Sequence, residues 1–361
     1  MSDAGRIGKR TVWVDVAKFL AILAVMTDHT EGILYESSDV AYFSYYSVSL
    51  FIIVMGITTM WSYSRNSGSL AKKVRNKCIG MIRPYVMATV IYCIFMYKSF
   101  DLEAVIYHLI RFNATGAFYY VLLYIQLVMI SPVLFCIFEK TKGKKWGIAV
   151  EAASFVIIIC ISSWTTNHSN ILGVYGGGGK LFGGTYLILL YLGMWVGKYY
   201  GKISVKTVPA GILAAIMLCC TIAWWRFIAN DKCQIDLRFP FGEGFNPPGI
   251  SLGLYAVLMA LMLYFLEAAL LSHPDGIPMK IMGAFGFLGK HTLYIFLYHR
   301  FILDLVIPYI SAASGIVIGN VWLKRTVYFL FMTGGSMLLE YILTHARKAV
   351  SLTSHPSSPL P

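Results

Sequence analysis

The chain has 361 residues, of which 58% are hydrophobic and 15% aromatic while only 13% are charged, and its mean hydropathy is +0.67. Ordinary soluble domains carry about a quarter charged residues, so this composition excludes a soluble globular protein and specifies an all-α integral membrane protein. The net charge of +13 would suggest nucleic acid in a soluble chain, but here the basic residues stand between apolar stretches, where they set orientation, and no nucleic-acid role follows.

The amino terminus, MSDAGRIGKR, is short, polar and basic, and no small-residue cleavage site follows a short apolar core. The first span is therefore expected to stay as an anchor. It reads VWVDVAKFLAILAVMTDHT over Val12 to Thr30 and carries Asp15 and Lys18 at one end and Asp28 and His29 at the other. Ionisable groups are costly in lipid, so four in one span ask for a reason. At 3.6 residues per turn Lys18 and His29 return to within about 20° of each other, about 16 Å apart along the axis. Lys18, Ala21 or Ile22, Val25 and His29 thus share a stripe expected to face protein or water.

Apolar stretches near the crossing length lie at 12–34, 42–63, 84–98, 117–138, 147–164, 183–200, 207–228, 249–271, 287–310 and 321–344, giving about ten transmembrane helices. The third is the shortest. Arg65, Lys72, Lys73, Arg75, Lys77 and Arg83 follow the second span and Lys140, Lys142, Lys144 and Lys145 the fourth. Loops on this side carry roughly twice the basic residues of the other, which places both termini in the cytoplasm and His29 toward the exterior.

Between the second and third spans, SLAKKVRNKCIGMIR over Ser69 to Arg83 sets Leu70, Val74 and Met81 or Ile82 on one face and basic residues on the other. It reads as an interfacial helix on anionic lipid, or as a basic surface that meets the phosphates of a soluble cofactor. Pro84 then stands at the first helical position of the third span, where proline is tolerated. DLEAVIYHLIRF, residues 101–112, is periodic but too short to cross and is expected at the outer surface, with His108 a surface histidine. GVYGGGGKLFGG resembles a phosphate loop only superficially, because Val174 and Leu181 stand where glycine and Ser or Thr are needed. It reads as a flexible loop over a cavity mouth.

The longest outer loop, Ala229 to Gly249, mixes Asp231, Asp236, Arg238 and Glu243 with phenylalanines and a Pro247-Pro248 pair. Arg238 is the candidate there for contact with a polar substrate, against the alternative of a solvated connector. The ninth span holds His291, Tyr294, Tyr298, His299, Arg300 and Asp304. Two histidines, two tyrosines and an arginine on one broad helical side suggest a water-accessible cavity. SLTSHPSSPLP, residues 351–361, reads as a disordered tail after a single membrane domain over 1–350. Seven scattered cysteines without a CxxC pair point to neither disulfides nor a metal site. No internal repeat is visible, which weighs against a transporter.

Four motifs in order resemble the membrane acyltransferase 3 family. Asp15, Lys18 and His29 resemble its opening helix, with a basic residue and a histidine ten intervening positions apart. RNKCIGMIRPY (Arg75 to Tyr85) resembles its basic stretch, YYVLLYIQLVMISPVL (Tyr119 to Leu134) its fourth span, and LGKHTLYIFLYH (Leu288 to His299) its late segment. Lys18 stands where the family usually has Arg, Met55-Gly56 where it has Ser-Gly, and Tyr119 where it has Trp; Arg and Lys differ in reach and fork geometry. The resemblance implies a bacterial inner-membrane enzyme that moves an acyl group, commonly acetyl from acetyl-CoA, to a hydroxyl of a cell-envelope or exported polysaccharide. Its partners would be acyl-CoA, a glycan or lipid-linked saccharide acceptor and membrane lipids, with no metal. His29 would take the hydroxyl proton or carry the acyl group transiently, and Lys18 would balance negative charge unless it is simply paired with Asp15. Arg75, Arg83, Tyr119, His291, Tyr294, His299 and Arg300 are the candidate substrate-binding residues beside Arg238. The alternative is a transporter or exporter of a glycan or small acidic metabolite.

Overall fold

The computed structural model describes residues 11–65, 68–98, 101–200, 205–229, 245–316 and 318–353. Arg238 and most of the long outer loop lie outside them, as do 354–361 of the expected tail. The chain divides into two compact units between Lys290 and His291.

The first unit contains α1 (Val12–Asp28), α2 (Ser38–Ser44), α3 (Ser47–Ser64), α4 (Leu70–Phe95), α5 (Leu102–Arg111), α6 (Tyr119–Thr141), α7 (Gly147–His168), the single turn α8 (Gly176–Gly179), α9 (Tyr186–Tyr199), α10 (Thr207–Ala229), α11 (Ile250–Leu270) and α12 (Ile277–Leu288). The second contains α13 (Thr292–Phe301), a π-helical turn over Ile302–Val306, α14 (Ile307–Ser314) and α15 (Val321–Thr353). Among the described residues there is no sheet, only an isolated bridge between Glu31 and Tyr35. Eight helical runs are long and apolar enough to cross a membrane. The two other expected spans are α1, with 17 residues, and α9, with 14. Both are largely buried inside the first unit, where protein covers them.

Small residues bring α3 and α9 together. A methyl group on Gly56 would strike the backbone of Leu190, Gly193 and Met194, and one on Gly193 or Gly197 would strike α3 in return. Gly193 and Gly197 form a GxxxG pair, which allows two helix backbones to approach closely where lipid supplies no hydrophobic drive. Trp61 Nε1 then donates to the Gly197 carbonyl at 3.1 Å. On α6, Pro132 cannot supply the donor for the Val128 carbonyl, and the Ser131 hydroxyl bonds it instead at 2.7 Å.

Several sequence expectations change. The basic stretch and the third span form one helix, α4, of 26 residues with Pro84 inside it. The ninth span starts at Thr292 rather than 287, because the unanticipated helix α12 occupies Ile277–Leu288 and a turn follows it. The glycine-rich loop is packed rather than loose. Gly177, Gly178 and Gly179 are buried, and side chains there would collide with Tyr186, Tyr119 and Val174. Residues 101–112 do form a separate helix, α5, with none of its residues buried.

The first unit has two poles. Trp13 of α1, Trp61 of α3, Tyr200 after α9 and Tyr264 of α11 meet at one. The C-terminal end of α1 lies at the other, with the start of α3, the start of α6, the glycine-rich loop and Asn246.

Candidate active site

The start of α1 is fixed by an acid from another helix. Glu267 is buried, and its Oε1 accepts from the backbone N–H of Val12 at 2.7 Å and of Trp13 at 3.4 Å. A carboxylate there satisfies donors that a helix N-terminus leaves open and complements the helix dipole. Asp15 is buried one turn on, and Lys18 Nζ donates to its Oδ1 at 3.0 Å. The side chains are 5% and 28% exposed, so the lysine head reaches the surface while its charge is already balanced.

The stripe beyond Lys18 faces protein: Ala21, Ile22 and Val25 are buried. His29 follows it as the C-cap of α1, with φ −74° and ψ −6°, so it keeps the helical register. Its ring Nε2 is 4.0 Å from Asp28 Oδ2, with the two side chains 24% and 28% exposed. That separation exceeds a hydrogen bond.

The chain then turns back on itself. The Tyr35 hydroxyl donates to the Thr27 carbonyl. Burial, followed by the carboxylates of Asp28 and Glu31, pushes the Tyr35 phenol above its ordinary range, so it stays protonated. Tyr45 and Tyr119 also lie near Asp28. Tyr45 meets Phe245 at a tilt, 4.2 Å between ring centres, and Tyr42 edge to face at 5.2 Å. Tyr119 faces Tyr175 edge to face at 6.3 Å.

Asn246 locks this pole: its Oδ1 accepts from Gly177 N–H at 2.9 Å and the Tyr186 hydroxyl at 3.1 Å. Gln126 bridges the same loop, donating to the Gly178 carbonyl at 3.0 Å and accepting from Phe182 N–H at 2.9 Å. The result is a pole rich in aromatic rings and hydroxyls, at which α1 ends in Asp28 and a partly accessible imidazole.

Only some of the expected residues gather here. Tyr119 does, whereas Arg75 and Arg83 are exposed on α4. Of the others, His299 is buried with Nδ1 3.0 and 2.8 Å from the Ile295 and Phe296 carbonyls, which makes it a packed, backbone-bonded histidine. His291 stands at the N-cap of α13, not on a shared helical stripe with Tyr298, and its Nδ1 lies 2.7 Å from Glu340 Oε2. Tyr294 stacks on the buried Tyr298, and Arg300 pairs with Asp304 at 2.9 Å. These four contacts belong to the second unit.

Sequence reading missed Glu267, Tyr35, Tyr45, Asn246 and Gln126. A lone acid in an apolar span was a usable signal for Glu267. It was also a signal for Glu151, which pairs with Lys198 at 2.5 Å, the side chains being 2% and 8% exposed, and accepts from Thr141 and Tyr199. The remaining four come together only through folding. Among the described residues no group of three or more His, Cys, Asp and Glu could hold a metal.

The model of one protein family, described as an acyltransferase domain, matches residues 11–345. No curated protein and no solved structure matches the chain.

Proposed function

Because the chain belongs to the acyltransferase 3 family and is a multi-pass membrane acyltransferase, we propose that it transfers an acyl group, acetyl in the simplest case, from acyl-CoA to a hydroxyl of a cell-envelope or exported saccharide. The donor enters from the cytoplasmic side and the acceptor from the other, in a bacterial inner membrane with both termini inside. The greater number of basic residues at the α1 amino-terminal pole supports that orientation.

The observation that carries the reading is His29: a partly exposed imidazole in register at the end of a buried helix, beside the Asp28 carboxylate. A neutral imidazole accepts the acceptor's hydroxyl proton as that oxygen bonds to the thioester carbonyl carbon. The carbon–sulfur bond then breaks, and the same proton returns to the leaving thiolate. The Asp28 charge favours the transient imidazolium. Tyr42, Tyr45, Tyr119, Tyr175 and Phe245 offer flat faces and hydroxyls, chemistry suited to a sugar ring. Asp15 and Lys18 fix the other end of α1 and hold its register.

The test is acyl transfer by His29→Ala to a saccharide hydroxyl in membranes that contain normal amounts of the protein. Loss of about 10²- to 10⁴-fold is expected for a missing general base. Retained activity would exclude the role given to His29.

A further inference from the structure

Helix α5 has three sides. Ala104, Val105, His108 and Leu109 are half-buried against the first unit, whereas Leu102, Ile106 and Ile110 are exposed. At four-residue spacing those three form one apolar stripe that spans about 80° of the helix. Glu103, Tyr107 and Arg111, also exposed, form the third side. Protein-facing, apolar and polar sides in succession are the pattern of a helix that lies in the boundary of a membrane.

Its depth follows from α4, which is long and apolar enough to cross. Helix α5 comes after the end of α4 that is away from the basic stretch. The Tyr85 hydroxyl donates to the His108 and Leu109 carbonyls at 3.2 and 2.9 Å, and the Tyr85 ring stacks on Phe112 at 5.0 Å. Tyr85 stands ten residues before Phe95, the last residue of α4, so about 15 Å of helix lies beyond it. On the far side Tyr97 stacks on His108 at 4.9 Å. The carbonyl end of α5 is thus drawn back alongside the last turns of α4. An apolar stripe held beside a crossing helix, short of its end, meets acyl chains rather than water.

Arg111 ties α5 to the glycine-rich loop. Its Nη1 donates to the Leu172 carbonyl at 2.5 Å, and a methyl group on Gly173 would come within 2.9 Å of the same nitrogen. The neighbouring Ile171 N–H donates to the Gly179 carbonyl at 2.7 Å. Gly178 in turn packs against Tyr119.

We infer that α5 is a strap laid in the membrane: the stripe of Leu102, Ile106 and Ile110 binds the acyl chains of the leaflet away from the basic start of α4, and Arg111 passes that hold to the glycine-rich loop. The partner is lipid, and the inference stands apart from the enzymatic reading.

Full-length protein in phosphatidylcholine nanodiscs tests this, in a chain with its native cysteines replaced and a polarity-sensitive fluorophore on Ile106→Cys, Ile110→Cys or Glu36→Cys. The first two probes should emit to the blue of the third, and a nitroxide on the upper acyl chain should quench them at least about twofold more. Equal quenching at the three positions overturns the lipid contact. A blue-shifted Ile106→Cys probe that the nitroxide leaves unquenched overturns it as well, because another protein surface then covers the stripe. Hydrogen exchange of residues 176–184, in the protein with its native cysteines, reads the strap. Arg111→Gln should speed that exchange about tenfold, a loss of about 1.4 kcal/mol of protection, with α9 unchanged, and Arg111→Lys should restore most of the protection. Unchanged exchange in Arg111→Gln overturns the strap. Faster exchange in α9 as well also overturns it, since Arg111 then supports the whole unit and not the loop.

Discussion

At the scale of single residues, charge compensation separates the groups that hold the fold from those left for chemistry. Asp15 is buried and accepts from Lys18, so Lys18→Met takes the ammonium away from a buried carboxylate, at a cost of about 3 kcal/mol, while Asp15→Asn with Lys18→Met removes both charges and recovers most of it. Denaturation of the purified variants measures this. A single variant as stable as wild type would show the pair to be a surface contact. His29 differs in that its Nε2 stands 4.0 Å from Asp28 Oδ2, beyond hydrogen-bond distance, and its side chain is partly exposed. Both ends of the stripe were legible from sequence, since spacing along a helix is local geometry. The tyrosines and Asn246 at the pole where α1 ends were not, because they come from loops and helices up to some two hundred positions away.

At the scale of elements, small residues decide how closely helices approach. Gly193→Ala places a methyl group against the Ile53 carbonyl of α3 and should destabilise the folded protein by about 1–3 kcal/mol. The melting temperature in detergent reports this, and an unchanged value would mean that α3 and α9 part without cost. Amphipathic α5 was legible in the sequence, because its period is strong and its length is less than a membrane crossing needs. Helix α4 was not divided as expected. The basic stretch and the apolar run are each helical, and they join in one helix with Pro84 inside it. The glycine-rich loop was misread as flexible for a related reason: glycine permits flexibility, but it also permits burial against Tyr119 and Tyr186, and only the neighbours decide which.

At the scale of the whole molecule, the two poles of the first unit carry different chemistry. Hydroxyls, aromatic rings and carboxylates collect at the pole where α1 ends, whereas Lys198, locked to Glu151, and Lys77, bonded to Thr59, stand toward the other. The proposed orientation makes a direct prediction. Cysteine placed at the exposed Tyr175, in a chain with its native cysteines replaced, should react with an impermeant thiol reagent in intact cells, and cysteine at Lys144 only after the membrane is opened. The reverse pattern would invert the topology and with it the sides assigned to donor and acceptor.

The sequence by itself determined the class of the protein, the approximate positions of the spans and the family. These follow from hydropathy, helical period and motif order, all properties of contiguous residues. Tertiary structure decided which charges are free to act, because neutralisation is a distance between residues that sequence does not bring together. It paired Lys18 with Asp15 and Lys198 with Glu151, anchored α1 on Glu267, built the pole where α1 ends, and bonded Lys77 to the Thr59 hydroxyl.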